Sequence, residues 1–225
     1  IPEYIKDKVT LKIYDMILER KKFKSILRDE NPGFIVFTRY ITHIGVIKEM
    51  AEFAREIVPD VRIGVGGVHA EVIPEDFESP FIDFIYDKNP IEAFNETLIG
   101  LLVDRSIEEI SNNIGLIGDK NKTLHYVHPN RKSVERYRDK YYYMFHNPCA
   151  LIKTSYGCPY NCSFCFCKEI TNGNYYTRDI EDVFNELENI EEEEIYIVDD
   201  DFLYDVNRLY EFIDGLKSRN IKKRF

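Results

Sequence analysis

The sequence predicts an α/β protein built on parallel strands, and three observations carry that expectation. Short apolar runs rich in β-branched and aromatic residues alternate with longer segments of helical periodicity. Pro, Gly, Asn or Asp punctuates most junctions, and the same rhythm starts afresh after residue 148. Strand–helix–strand alternation implies crossover connections, and therefore a parallel sheet with helices on its faces.

Residues 9–14 (VTLKIY) alternate polar and apolar and read as a strand. Residues 16–29 are charged and helix-compatible, and Asn31-Pro32-Gly33 stops them. Phe34–Thr38 (FIVFT) is a continuous apolar run, as expected of a strand buried on both faces. Within 45–58, Val46, Ile47, Met50, Phe53, Ala54 and Ile57 recur at helical spacing until Pro59-Asp60. Residues 61–65 read as a strand that runs into Gly66-Gly67. Residues 81–86 (FIDFIY) read as a fourth strand and 90–103 as a helix. This βαβαβ pattern defines a first domain over residues 1–105.

Residues 106–148 break the rhythm and are read as a connector, with a small hairpin over 114–127 and an Arg-, Lys- and Tyr-rich stretch over 128–148. A second α/β unit is expected over 149–225. It comprises a strand at 150–155, a cysteine-bearing loop, a helix at 179–190, a strand at 195–198 and a helix at 206–217. The strand at 195–198 ends in Asp199-Asp200-Asp201.

The 225 residues are 44% hydrophobic and 31% charged, enough apolar material for a packed core. A net charge of −10 argues against a general nucleic-acid surface. No apolar run approaches the roughly 20 residues of a membrane span. The five cysteines, Cys149, Cys158, Cys162, Cys165 and Cys167, are odd in number and clustered. That pattern fits a metal or redox site in a reducing, cytoplasmic compartment better than a disulfide scaffold. The chain opens on Ile1 rather than Met, and stops where a further strand would follow; it is expected to be part of a longer protein.

The densest chemistry lies in "TSYGCPYNCSFCFCKE", residues 154–169. Cys158-x3-Cys162-x2-Cys165 can converge only on a loop curled around one centre, and Gly157 and Pro159 supply turn chemistry. Soft thiolates select iron–sulfur clusters, zinc or copper(I). A structural zinc would need a fourth protein ligand, which Cys149 or Cys167 would have to provide. Otherwise Cys167 is a small buried hydrophobe and Cys149 part of its strand.

The spacing resembles the CxxxCxΦC signature of radical S-adenosylmethionine (SAM) enzymes, with Phe164 at the aromatic position. The resemblance implies a 4Fe–4S cluster on Cys158, Cys162 and Cys165, with its fourth iron open to SAM. It also implies Phe164 near the adenine, and Asp199, Asp200 or Asp201 against the SAM amino group. For these aspartates the alternative is a solvated acidic turn, or a helix N-cap at Asp201.

The first domain has its own likeness. "VRIGVGGVHAEVIPEDF" (61–77) and "FIVFTRYIT" (34–42) resemble segments of the cobalamin-binding domains found ahead of radical SAM domains. The resemblance implies cobalamin contacts from Thr38, Gly66, Gly67 and His69. Glycines allow close backbone approach to a nucleotide tail, and Thr38 offers a hydroxyl. Asp87-Lys88-Asn89-Pro90 stands where the family often has a Gly- and Glu-rich turn. Taken together the resemblance implies a flavodoxin-like (Rossmann-type) cobalamin-binding domain followed by a partial radical SAM (β/α) barrel, both truncated. The flavodoxin-like order would leave a gap in the first sheet, with residues 9–14 as its second strand.

The implied activity is SAM cleavage, with cobalamin-dependent methyl transfer to an unactivated centre. The implied partners are a small-molecule or peptide substrate and an electron donor such as flavodoxin or ferredoxin. Two alternatives stand beside it: a radical SAM enzyme with a vestigial cobalamin domain that performs a cyclisation or rearrangement, and a zinc-stabilised, non-catalytic binding module.

Overall fold

Three parallel strands carry the first half of the fold: β1 (Phe34–Thr38), β2 (Arg62–Gly66) and β3 (Phe84–Ile85), ordered β1-β2-β3. The register runs from Phe34 opposite Arg62 to Thr38 opposite Gly66, so β1 and β2 end side by side. The structure is a computed structural model and describes residues 1, 3–38, 44–118 and 126–225. These residues form two compact units, Ile1–Lys12 with Glu19–Leu124, and Ile13–Leu18 with His125–Phe225.

In the first unit, helices α1 (Phe23–Glu30) and α2 (Ile44–Ile57) cover one face of the sheet through Leu27, Ala51, Ala54 and Ile63. Helices α4 (Pro90–Leu102) and α5 (Ile107–Gly118) form a second core with Phe84, Tyr86, Ala93 and Ile110. Along β1, Ile35 and Phe37 join the first core while Phe34 joins the second, as the strand's alternation requires. The short helix α3 (Val68–Val72) and a 3₁₀ turn at Pro74–Phe77 connect β2 to β3.

Five expectations need correction. Residues 9–14 form no strand: Leu11 and Ile13 stay exposed, and among the described residues no neighbouring strand offers them backbone partners. The three strands pair consecutively, without the expected gap. The first helix starts at Phe23, because Asp15 accepts the Ile17 amide at 3.0 Å and turns the chain instead. The hairpin expected over 114–127 is a helix up to Gly118, while 119–125 lie outside the described residues. Ile107, Ile110 and Ile114 share one helical face, and that face packs on α4. The strand over 81–86 shrinks to Phe84–Ile85.

The second unit has a parallel pair, β4 (Cys149–Ile152) and β7 (Glu194–Ile197), in register from Cys149–Glu194 to Ile152–Ile197. Helices α7 (Ile180–Asn189) and α8 (Val206–Ser218) cover one face through Val183, Phe184, Leu187 and Phe212. Asp179 and Asp205 cap them by accepting the amides of Asp182 and Arg208. The strand expected over 150–155 stops at Ile152. Ser155–Tyr156 forms a separate strand, β5, antiparallel to β6 (Tyr176–Thr177). Between β5 and β6 lie the cysteines and the short helix α6 (Cys167–Thr171). Among the described residues, no helix is long and apolar enough to cross a membrane.

Gly215 brings α8 onto α7: a Cβ there would overlap the buried Phe184 ring. Two effects oppose each other in Gly215→Ala. Helix propensity favours Ala by about 1 kcal/mol, whereas overpacking costs about 1–3 kcal/mol. Because the ring is held in the core, the variant is expected to lose about 1 kcal/mol net, read as a lower midpoint in urea unfolding.

Candidate functional site

The cysteine loop leaves β5 at Gly157 and returns at Tyr175. Gly157 has φ +79°, and a Cβ there would overlap the Asn174 carbonyl oxygen and the Thr171 hydroxyl. Only glycine lets the loop's entrance and exit pack so closely. Cys158 and Cys165 are partly exposed and Cys162 is exposed; all three are free thiols. The amide of Cys165 donates to the Cys162 carbonyl at 3.1 Å, which curls the segment, and Lys168 Nζ reaches Asn161 Oδ1 at 3.0 Å. Phe164 stands 89% exposed on this curl.

The three aspartates after β7 have different surroundings. Asp199 accepts the Thr154 amide at 2.6 Å, the Thr154 hydroxyl at 2.6 Å and the Ser155 hydroxyl at 2.7 Å. Asp200 accepts the Gly157 amide at 2.8 Å and Lys153 Nζ at 3.4 Å on Oδ2, and the Cys167 thiol at 3.4 Å on Oδ1. Asp201 is partly exposed and has no hydrogen bond or ion pair among the described residues. It does not cap α8, since Asp205 holds that position.

Cys167 is likewise a hydrogen-bonding thiol, not simply a buried hydrophobe. Burial, its contact with Cys165 and the Asp200 carboxylate push its pKa up to about 12. It therefore stays protonated and donates.

A buried network grips the same stretch from the other side. Arg178, just after β6, donates its amide to the Thr154 carbonyl at 3.0 Å and Nη1 to the Lys153 carbonyl at 2.7 Å. Its guanidinium also meets Glu186 at 2.7 Å and Asp182 at 2.5 Å, and lies 3.5 Å from the centre of the Tyr126 ring. The Glu186 side chain is 1% exposed and is fully engaged, with Arg131 at 2.9 Å and Tyr126 Oη at 3.1 Å on its other oxygen. Burial opposes the charge on Arg178, but the two carboxylates outweigh it and raise its pKa. For Asp182 burial again opposes the charge, and hydrogen bonds from Arg178 and His128 hold the carboxyl below its ordinary range.

Sequence reasoning missed Arg178 and its partners. The readable signal was the spacing Arg178-x3-Asp182-x3-Glu186, which puts both acids on one helical face below the arginine.

Among the described residues, no three His, Cys, Asp or Glu side chains are gathered closely enough to hold one metal ion. A single zinc would draw its sulfurs to within about 3.8 Å of one another, given Zn–S bonds of about 2.3 Å. A four-iron cluster takes one thiolate on each of separate irons and spreads its ligands wider. Three unpaired, accessible thiols on one loop are a donor set that fits the cluster.

In the first unit, Thr38 and Gly66 lie opposite each other at the carboxyl edge of the sheet, and Gly67 follows at φ 100°. This is where open α/β sheets bind ligands. An edge with a hydroxyl beside two glycines fits a nucleotide-tailed cofactor. The rest of the segment after Thr38, 39–42, lies outside the described residues. His69 is placed differently from these three: it is buried, with Nε2 2.8 Å from Asp76 Oδ2 and its ring edge-on to Phe77. Among the described residues its Nδ1 has no partner, while Nε2, facing a carboxylate, donates to Asp76.

Residues 3–95 match the B12 binding domain family and residues 152–224 the radical SAM superfamily. Hopanoid C-3 methylase from Methylococcus capsulatus is 26% identical over 206 residues, covering 86% of this chain and 39% of the methylase. The fold is shared with the radical SAM methyltransferase TsrM from Kitasatospora setae, at a TM-score of 0.64 and 16% identity over 89% of this chain and 43% of TsrM. It is also shared with the cobalamin-dependent radical SAM enzyme OxsB, at a TM-score of 0.59 and 19% identity over 87% of this chain and 30% of OxsB. The two matches place a B12-binding domain ahead of a radical SAM domain, the arrangement of the cobalamin-dependent radical SAM enzymes that this chain resembles. The cofactors of the family are a 4Fe–4S cluster, SAM and cobalamin. The chain spans about two-fifths of the length of the curated relative.

The Arg178 network sets a stability test. Arg178→Met leaves Glu186 and Asp182 without their shared cation, and breaking such a buried pair costs about 3–5 kcal/mol. The Asp182 share lies toward its exposed side and is screened, so the lower end is expected, measured by urea unfolding.

Proposed function

We propose that this chain carries the cofactor-binding part of a cobalamin-dependent radical SAM methyltransferase. One observation supports this most: three free thiols on a loop whose entrance is held by the Arg178 guanidinium on the Lys153 carbonyl and by the Asp200 carboxylate on the Gly157 amide, beyond the carboxyl end of a parallel β pair. Cys158, Cys162 and Cys165 would hold the cluster, and Thr38, Gly66 and Gly67 the nucleotide tail of cobalamin. When bound, the cluster supplies the electron that cleaves the SAM sulfonium, and cobalamin supplies a methyl carrier.

The remaining work falls to the chain's own residues. Phe164 packs against the SAM adenine, for which its exposed ring is available. Asp201, the one carboxylate of the triplet without a partner among the described residues, accepts the SAM ammonium. Asp199 holds Thr154 and Ser155, so its oxygens are committed to the fold. His69 is buried within the domain against Asp76 and Phe77. The methyl acceptor is a small molecule or peptide, and the electron comes from a protein of the flavodoxin or ferredoxin type in a reducing compartment.

The test is anaerobic reconstitution with iron and sulfide, then SAM and a chemical reductant. Four irons per chain, the visible absorbance of a 4Fe–4S cluster and release of 5′-deoxyadenosine are expected, and each should vanish in Cys158→Ala, Cys162→Ala and Cys165→Ala. One zinc and no iron would instead favour the non-catalytic module. Cobalamin titration separates the methyltransferase from a radical SAM enzyme with a vestigial first domain: saturable binding weakened by Gly67→Val is expected, and no binding would favour the latter.

A further inference from the structure

We infer that Asp200 is a positioning residue that sets the span of the cysteine motif. Its two oxygens take hold of the chain on either side of the three cysteines. Oδ2 accepts the amide of Gly157, the residue before Cys158, at 2.8 Å. Oδ1 accepts the thiol of Cys167, two residues beyond Cys165, at 3.4 Å. One carboxylate, three residues beyond the end of β7, thus bridges the distance across which Cys158, Cys162 and Cys165 must curl. Lys153 Nζ at 3.4 Å from the same Oδ2 balances the charge. Asp199 makes no such bond: both of its oxygens face Thr154 and Ser155, ahead of the motif. Asp201 has no partner at all among the described residues.

The role rests on the reading of Cys158, Cys162 and Cys165 as cluster ligands. It assigns Cys167 a purpose that a ligand count does not reveal. Its thiol is a hydrogen-bond donor that closes the motif, so a hydroxyl should replace it and a methyl group should not. For Asp200, an asparagine keeps a carbonyl oxygen for the Gly157 amide, and alanine keeps nothing.

The experiment compares wild type with Asp200→Asn, Asp200→Ala, Cys167→Ser and Cys167→Ala in the full 225-residue chain. In the cluster-free protein, hydrogen exchange at the Gly157 amide should speed up at least tenfold in Asp200→Ala and much less in Asp200→Asn. After anaerobic reconstitution, Asp200→Ala and Cys167→Ala should hold half the wild-type iron or less. Their reduced clusters should give a shifted or broadened electron paramagnetic resonance spectrum, while Cys167→Ser restores the wild-type signal. The inference is overturned if Asp200→Ala keeps wild-type exchange at Gly157. It is equally overturned if that variant keeps iron content and spectrum but loses the spectral change caused by SAM, since Asp200 would then be a SAM contact. Failure of the functional reading looks different: wild type itself takes up no iron, while the exchange result at Gly157 still stands or falls by itself.

Discussion

The second unit depends on keeping residues 153–157 still. These five residues carry the chain from the end of β4 into the cysteine loop, and any slack there would reach every thiol beyond. Hydrophobic packing does not provide such control at a sheet edge, because it is non-directional. Directional bonds do. Arg178 holds the carbonyls of residues 153 and 154, Asp199 the amide and hydroxyl of 154 and the hydroxyl of 155, and Asp200 the amide of 157. Each is a charged group engaged several times over, which is the condition under which burying charge is tolerated.

Arg178 shows how that condition is met. A guanidinium has five donors in a fixed plane, and here they reach two acids and a backbone carbonyl, while the Tyr126 ring covers its face. Lysine, with a compact charge and no plane, could not meet all of these at once. The network also takes in Tyr126, His128 and Arg131, so this part of the connector is fastened to α7 by the same two acids. The residues read from sequence as a basic, aromatic connector are therefore part of the scaffold beneath the loop.

The alternation of strands and helices was legible because it is written in side-chain periodicity, and so were the three thiols, because their spacing is local. What escaped had its cause elsewhere in the chain. Residues 9–14 have strand-like alternation but no neighbouring strand, and pairing is not a local property. Ile107, Ile110 and Ile114 do carry a helical signal, which the hairpin expected over 114–127 cuts short. The separate duties of Asp199 and Asp200 could not be read from three identical letters; they depend on what lies opposite, namely Thr154, Ser155, Gly157 and Cys167. Arg178 was overlooked because its partners come before and after it, just beyond β4 and on α7.

The acidic triplet makes physical sense as a division between two incompatible tasks. A carboxylate that fixes a loop must have its donors permanently in place, and Asp199 and Asp200 do. A carboxylate that receives a ligand's ammonium must be without a partner until the ligand arrives. Leaving a fully buried carboxylate in that state would cost several kcal/mol, but a partly exposed one is stabilised by water and gives that water up on binding. Asp201 is partly exposed and, among the described residues, is the member of the set without a partner. Three acids in succession thus place the loop's anchor and its proposed ligand contact one residue apart, so that whatever fixes the thiolates also fixes the group that would orient SAM above them.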